Sequence, residues 1–238
     1  MKMLNLSKKI LMTLVLTLGM ASYSYADIVL DDFDYTPQPN VFIEVNDTVT
    51  TATTQRNNVN ALGGDVVYDL AYVSGNSAPL RTSAASFNNG SMGFSNDTTM
   101  KSTLLLTYSE IFAPGNPTAD FSALNGFYFD LLSSDLGFSI LVTIGSDSGL
   151  NTSISNTVSG AIGSLTRTNI LFSSFATGLG GGANFAAVDY VSILLTSDVE
   201  SADLLLTEFG ATTVPEPTSL AIFGLGLIGL AFSARKKV

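Results

Sequence analysis

Short apolar segments alternate with turn residues along nearly the whole of residues 27–210, and this rhythm limits the possible folds more than any other feature. The segments are rich in β-branched and aromatic residues, and Gly, Asn, Asp and Ser separate them. Residues 88–90 and 114–117 give the clearest turn signals, because Asn and Gly tolerate positive φ and Pro interrupts regular structure. Many short strands joined by frequent turns are typical of a sandwich or a barrel. We therefore predict an all-β fold: a single antiparallel β-sandwich domain over residues 27–210.

The individual strands can be placed from alternation and turn signals. The predicted strands begin at residue 28 and continue at 41–45, 48–54, 65–73, 80–87, 92–95, 101–108, 124–132, 137–144, 153–158, 165–172, 187–196 and 202–210. Residues 55–60 read as a loop, and the leucines at 104–106 as part of a fully buried strand. Because neighbours on a strand point to opposite faces, Tyr128 is expected to face outward between two inward-facing Phe residues.

The first 26 residues have the layout of a secretory signal peptide. Lys2, Lys8 and Lys9 precede a short apolar stretch at 10–18, and small residues follow up to Ala26. A basic start, a short apolar core and a small-residue cleavage site are typical of an export signal. We predict cleavage by signal peptidase after Ala26, with a cut after Ala21 as the alternative.

Charge and missing residue types exclude several functions. Residues 27–214 contain 4 Lys+Arg and 19 Asp+Glu, so their formal net charge is 4 − 19 = −15. Such a surface repels phosphate backbones, which argues against nucleic-acid binding. The chain has no Cys and no His. Disulfides, thiolate nucleophiles and Ser-His-Asp relays are therefore excluded, and no catalytic or cofactor-binding residue is predicted.

The C-terminal residues 211–238 have three successive parts. A stiff motif, Pro215, Glu216 and Pro217, is followed by an uncharged apolar stretch within about 218–234 and then by a basic tail at 235–238. Lys or Arg beside an apolar segment marks the end that stays in the cytoplasm. The fifteen residues 220–234 cover roughly 22 Å of a hydrocarbon core about 30 Å thick, so the predicted transmembrane helix is only marginally long enough.

This C-terminal segment resembles the PEP-CTERM sorting signal of Gram-negative bacteria. The resemblance rests on Pro215, Glu216 and Pro217 and on the basic residues Arg235, Lys236 and Lys237. It implies that an exosortase cuts near the motif and passes the protein toward the cell surface. The chain would then be a substrate of sorting, transiently anchored in the membrane and afterwards located at the surface or in the extracellular matrix. The alternative is a plain C-terminal membrane anchor.

The predicted ectodomain resembles the jelly-roll, galactose-binding-like sandwiches found ahead of such signals. The cues are residues 31–34, 63–65, 105–108, 184–192 and 203–209. The acidic cluster of Asp31, Asp32 and Asp34 could supply oxygen ligands to Ca²⁺, which takes six to eight of them. The resemblance implies Asp203 or Glu208 as the partners of that cluster. An unchanged melting temperature after dialysis against a strong chelator would exclude a structural Ca²⁺.

Three functions remain open from the sequence. The leading hypothesis is a secreted, non-enzymatic surface or matrix protein with a structural or adhesive role in exopolysaccharide or biofilm. The alternative is a protein like a carbohydrate-binding module that recognises a matrix glycan, with Ca²⁺ as a possible aid. A third is a glycan-active enzyme that uses two carboxylates, although no pair of acidic residues stands out in the sequence.

Overall fold

The computed structural model describes residues 27–213 except 37, 58, 60, 76–80, 89, 109–117 and 198. These residues form fourteen β-strands and one short 3₁₀ helix at Phe172–Ser174. The strands are β1 (Ile28–Asp31), β2 (Val41–Val45), β3 (Thr51–Arg56), β4 (Val66–Gly75), β5 (Ser83–Asn88), β6 (Ser91–Asn96), β7 (Met100–Tyr108), β8 (Leu124–Ser134), β9 (Phe138–Ser146), β10 (Asn151–Ser159), β11 (Thr166–Leu171), β12 (Ala176–Thr177), β13 (Val188–Ser197) and β14 (Asp203–Thr213).

The strands form two seven-stranded antiparallel sheets that enclose a common core. Sheet A has the order β11-β8-β14-β6-β5-β2, and β1 pairs with β14. Sheet B has the order β12-β10-β9-β13-β7-β4-β3. The predicted all-β, antiparallel sandwich is therefore confirmed.

Alternation along each strand builds the core. In β7 every second residue is buried, and in β9 the residues Phe138, Ile140, Val142 and Ile144 point inward in the same way. Inward-facing residues of both sheets form one apolar cluster. A sheet that is apolar on one face must bury that face against another element. Each of the two amphipathic sheets therefore buries its apolar face against the other.

Most strand predictions agree with the structure, and the exceptions have identifiable causes. The segment 41–45 was predicted with the bounds that β2 has. Gln55 and Arg56 belong to β3 although we predicted a loop, because pairing with Val67 and Val66 extends the strand through polar residues. Leu105 is not fully buried: it lies on the outer face of sheet B, while Leu104 and Leu106 face the core. The two-residue strand β12 was not predicted.

Strand β14 occupies the middle of sheet A. One side pairs with β8 along most of its length, and the other side pairs first with β6 and then with β1. Ile28 lies opposite Ala211, so Asp27 and Thr213 are at the same end of the sheet. β14 continues three residues beyond the predicted end of the ectodomain at 210.

The targeting segments lie outside the described residues. This applies to the predicted signal peptide with its cleavage site at Ala26, and to the C-terminal motif, apolar stretch and basic tail. Within the described part of the chain, no helix has the length and apolar character needed to cross a membrane.

Close contact between β8 and β11 predicts a specific sensitivity at Gly126. A Cβ atom there would lie 2.4 Å from the carbonyl oxygen of Ile170 and 2.9 Å from the Cα of Leu171. Because backbone cannot move aside as a flexible side chain can, we expect Gly126→Ala to destabilise the fold by roughly 1–3 kcal/mol. Urea unfolding measures the change.

Gly160→Ala is the matched control, because a Cβ atom at Gly160 meets nothing within 4 Å. Its effect should stay within about 0.5 kcal/mol. Equal unfolding midpoints for the two variants would contradict the described packing of β8 against β11.

Candidate functional site

Two neighbouring rows of outward-facing residues cross sheet A and form a shallow depression. The first row runs across β2, β5, β6, β14 and β8, and the second crosses the first four of these strands. Cross-strand pairing aligns the residues of the first row, which are Phe42, Ser86, Gly93, Leu205 and Ser133. Cross-strand pairing also aligns the residues of the second row, which are Glu44, Ala84, Ser95 and Asp203. We call this depression the trough.

Small residues make the floor of the trough. Ser86, Gly93 and Ser95 occupy its centre, whereas Phe42 stands at one end with 61% of its surface exposed. Two cavities of about 340 and 280 Å³ adjoin one another here, because Ser95 and Asp203 line both. The larger cavity lies at the lower end of the usual range for small-molecule sites, and the smaller one lies just below that range. Four strand spacings of about 4.8 Å give the trough a length of about 19 Å.

Carboxylates line one side of the trough. The backbone N–H of Asp203 donates to Oδ1 of Asp135 at 2.7 Å, and the Asn96 N–H lies 3.3 Å from Oδ1 of Asp203. Oδ2 of Asp97 accepts from the Thr82 N–H at 3.1 Å, and Oε1 of Glu44 accepts from the Thr82 hydroxyl at 3.2 Å. These bonds hold the side chains in place and leave other oxygen lone pairs for a ligand.

The same carboxylates crowd one another. Partial burial raises the pKa of Asp203, and the negative charges of Asp135 and Asp97 raise it further. No Lys or Arg is found among the described residues that line the two cavities. The trough is therefore rich in hydrogen-bond acceptors and repels anions, and an exposed aromatic ring closes one end.

Asp31 lies in the core and not at the surface. Its carboxylate accepts hydrogen bonds from the hydroxyl of Tyr35 at 2.8 Å, from the hydroxyl of Tyr108 at 2.9 Å and from the Phe33 N–H at 2.8 Å. The Tyr35 hydroxyl also bonds that of Tyr68. Asp31 belongs to sheet A, while Tyr68 and Tyr108 belong to sheet B. The carboxylate thus ties the two sheets together.

Burial dominates the ionisation of this group. It raises the pKa of Asp31 to about 7, although the hydrogen bonds from Phe33, Tyr35 and Tyr108 favour the charged form and oppose the shift. Burial also raises the pKa of all three tyrosines. Their hydroxyls therefore stay protonated and remain donors.

The other predicted calcium ligands lie in different places. Oδ1 of Asp32 accepts from the Asp34 N–H, and Oδ1 of Asp34 accepts from the Thr36 N–H, so both side chains form local turns. Phe33, which has a positive φ of 54°, is the central residue of the first of these turns. Asp203 lies in the trough at the start of β14. Glu208 lies farther along the same strand.

The five predicted ligands are therefore not brought together. Asp31 faces the core, Asp203 the trough and Glu208 a charged group on sheet A. Among the residues that the structure describes, no three acidic side chains converge in a way that could hold a metal ion. Calcium binding stays a prediction that the chelator experiment tests.

Glu208 belongs to an ion-pair row at the far side of sheet A from β2. Arg167 donates two hydrogen bonds to the Asp130 carboxylate at 2.8 and 2.7 Å, and it also bonds Asp27. Glu208 Oε1 accepts from the Tyr128 hydroxyl at 2.5 Å. The Arg167 guanidinium lies over the Tyr128 ring at 3.7 Å. A guanidinium in this position is attracted to the face of the ring.

This arrangement settles the position of Tyr128. Its neighbours Phe127 and Phe129 join the core cluster, so Tyr128 faces outward as predicted. The side chain is nevertheless fully covered, by Arg167 above it and by the close approach of Gly210. Tyr128 therefore offers no free ring for a sugar to stack on.

Sequence reasoning missed the residues that line the trough. Phe42, Ser86, Gly93, Ser95 and Leu205 lie on four strands, of which only β5 and β6 are close in sequence, and the pairing register aligns them. The exposed Phe42 within the alternating β2 was the one available signal. Asp203 was singled out, but for a metal site.

Comparison with known families identifies the C-terminal segment. The model of the PEP-CTERM protein-sorting motif matches residues 213–237. The chain carries a PEP-CTERM sorting motif. This motif implies export and sorting to the cell surface. No curated protein sequence matches the chain.

Several solved structures are similar to the chain in fold. The family 11 carbohydrate-binding module from Clostridium thermocellum, in complex with a β-1,3-1,4-mixed-linked tetrasaccharide, is 14% identical with a TM-score of 0.42, covering 80% of this chain and 98% of its own. The family 30 module of a Clostridium thermocellum cellulosomal cellulase is 14% identical with a TM-score of 0.43, covering 79% and 97%. An exo-β-agarase is 11% identical with a TM-score of 0.42, covering 80% of this chain but only 25% of the enzyme.

The buried Asp31 predicts a pH dependence of stability. Its pKa is about 7 in the folded protein against an ordinary value of 3.8, so the folded state binds more protons between these values. The stabilising contribution is complete below about pH 4 and is lost as the pH rises through 7. One pKa unit corresponds to roughly 1.4 kcal/mol. Between pH 4 and pH 8 we therefore expect the free energy of unfolding of the unmodified protein to fall by roughly 2–4 kcal/mol more than that of Asp31→Asn. Urea unfolding from pH 4 to pH 8 measures both proteins.

Asp31→Asn removes the ionisable carboxyl group but keeps the size of the side chain and an oxygen that can accept from Tyr35 or Phe33. The variant Asp69→Asn, at a surface carboxylate that bonds Thr53, controls for loss of one negative charge. Parallel pH profiles for Asp31→Asn and the unmodified protein would contradict a raised pKa at Asp31.

Proposed function

We propose that this protein is exported, sorted by an exosortase to the cell surface or matrix, and binds a neutral glycan there without acting on it chemically. Signal peptidase would release the chain after Ala26, and exosortase would act near Pro215, Glu216 and Pro217. The protein would then serve as an adhesive component of exopolysaccharide or biofilm. The observation that carries the glycan part of the proposal is the trough on sheet A.

The chemistry of the trough favours a carbohydrate. Sugar hydroxyls donate hydrogen bonds, and Glu44, Asp97, Asp135 and Asp203 supply acceptors along one side. Phe42 offers an exposed ring at one end, on which an apolar sugar face can stack. The shallow, elongated shape suits several units of a chain better than a single small molecule. The absence of Lys and Arg among the described lining residues disfavours uronate or sulfated polymers.

The position of the trough on β14 suits a tethered protein. Asp203 in the trough and Thr213 are at opposite ends of the strand, and the matched sorting segment begins at Thr213. At about 3.3 Å per residue, these two residues are about 33 Å apart. The glycan site would therefore lie at the end of the domain that is remote from its point of attachment.

Phe42→Ala tests the glycan site. Loss of a stacking ring should weaken binding about tenfold, which corresponds to about 1.4 kcal/mol. Affinity electrophoresis in gels that contain neutral glucans, neutral galactans or uronate-rich polymers measures the effect. Leu179→Ala is the matched control, because Leu179 is similarly exposed, at 66%, and lies outside the trough.

Three outcomes would contradict the glycan proposal. The first is no retardation in any neutral glycan, and the second is equal loss in Phe42→Ala and Leu179→Ala. The third is stronger retardation by uronate-rich polymers than by neutral ones, because the carboxylates of the trough should repel them.

Glu216→Ala tests the sorting part separately. We expect cells that produce the unmodified protein to yield a species that begins near Asp27 and ends near Pro217, and we expect this species to be lost in the variant. Intact mass of protein from the cell envelope and the medium measures both. Retention of residues 235–238 in both strains would make the segment a plain membrane anchor.

A further inference from the structure

The outer face of sheet B carries a regular pattern of side chains in its centre. Leu105 on β7, Leu194 on β13 and Leu141 on β9 are directly paired across the strands and form one row. All three are of intermediate exposure, and their neighbours along each strand point into the core. We call these three residues the leucine row.

Hydroxyl side chains flank the leucine row on both sides. Each position lies two residues before or after a leucine on the same strand, so all of them share the outer face. The row on one side consists of Thr103, Thr196 and Ser139, and the row on the other side of Thr107, Ser192 and Thr143. We call these the hydroxyl rows.

The face is nearly neutral in a strongly acidic domain. None of its nine row positions holds a charged residue, whereas the formal net charge of residues 27–214 is −15. Asp69 pairs with Leu105 at the edge of the pattern, and its carboxylate accepts a hydrogen bond from Thr53. Two copies of the domain repel one another through most of their surfaces. Contact through this face brings few like charges together.

The pattern is also complementary to itself. The order hydroxyl, leucine, hydroxyl reads the same in both directions along a strand. A two-fold axis in the plane of contact therefore places leucine on leucine and hydroxyl on hydroxyl, as an isologous interface requires. Two sheets stacked in this way lie about 10 Å apart, as in a β-sandwich.

We propose that a second copy of this chain docks on the outer face of sheet B, leucine row against leucine row. With β4 and β10 included, five strands at about 4.8 Å and three rows at about 6.8 Å span about 24 by 20 Å. Two copies then bury roughly 1,000 Å² in total, at the low end of specific interfaces. The dimer is accordingly weak and reversible, and the trough on sheet A stays open in both copies.

Crosslinking on the producing cells tests this interface in the full chain. The chain has no cysteine, so a single introduced cysteine is the only site of thiol reaction. We expect Leu194→Cys to give a covalent dimer with a short bis-maleimide, because the two copies of this residue lie close to the axis. Leu132→Cys is the matched control, since Leu132 is a 41% exposed leucine on sheet A.

A second variant tests the interface without an introduced cysteine, which could itself alter the contact. Leu194→Glu in the centre of the face should weaken association at least tenfold in sedimentation velocity of the purified protein, while Leu132→Glu should not. Higher salt should strengthen the dimer of the unmodified protein, because it screens the repulsion between two acidic domains.

Several results would overturn the proposal. They are a monomer at every concentration and salt, equal crosslinking at Leu194→Cys and Leu132→Cys, and equal effects of the two glutamate variants. None of these results bears on the trough, so the glycan proposal can stand or fall on its own experiments.

Discussion

The pairing of β14 with three other strands holds sheet A together. β8 lies along one side, and β6 and β1 share the other. The start of β14 therefore carries Asp203 into the trough, while its end lies beside the first residues of the domain. One strand fixes both the candidate ligand site and the point from which the sorting segment leaves. A slip of the whole strand by one residue against its partners would move every outward-facing residue of β14 to the core face.

Charged and polar side chains have different partners on the two faces of this sheet. In the core, the Asp31 carboxylate is satisfied by Tyr35, Tyr108 and the Phe33 N–H, so the buried acid connects the sheets. A buried polar group that loses its partner is costly, which makes this contact specific as well as stabilising. On the surface, Arg167 pairs with carboxylates and covers Tyr128. That pairing removes an aromatic ring that would otherwise be a candidate for sugar stacking.

The sequence predicted the architecture well because period-2 alternation and turn chemistry act locally. The bounds of β2 and the outward direction of Tyr128 follow from such local rules. The partners of each strand do not, since pairing joins residues such as Gly93 and Leu205 that are far apart along the chain. Sequence reasoning therefore recognised Asp203 and missed the neighbours that make it part of a trough.

The sequence also did not predict which residues of a segment are buried. The cluster at 31–34 looks like a set of surface ligands, but an irregularity in the pairing of β1 leaves both Leu30 and Asp31 buried, and Asp31 meets Tyr108 of sheet B. Asp32 and Asp34 turn outward. Leu105 shows the reverse case, because a run of three leucines suggests burial on both faces although one face is open. An apolar run does not tell which of its faces a second sheet covers.

The central claim is that the trough binds a neutral glycan at the end of the domain remote from its attachment. NMR titration of isotopically labelled protein with the neutral polysaccharide fraction from the producing cells tests it most directly. We predict that amide signals of Ser86, Gly93 and Ser95 shift together and saturate, while those on sheet B stay in place. Shifts confined to sheet B or to the surroundings of Arg167, or no shifts at saturating polysaccharide, would contradict it.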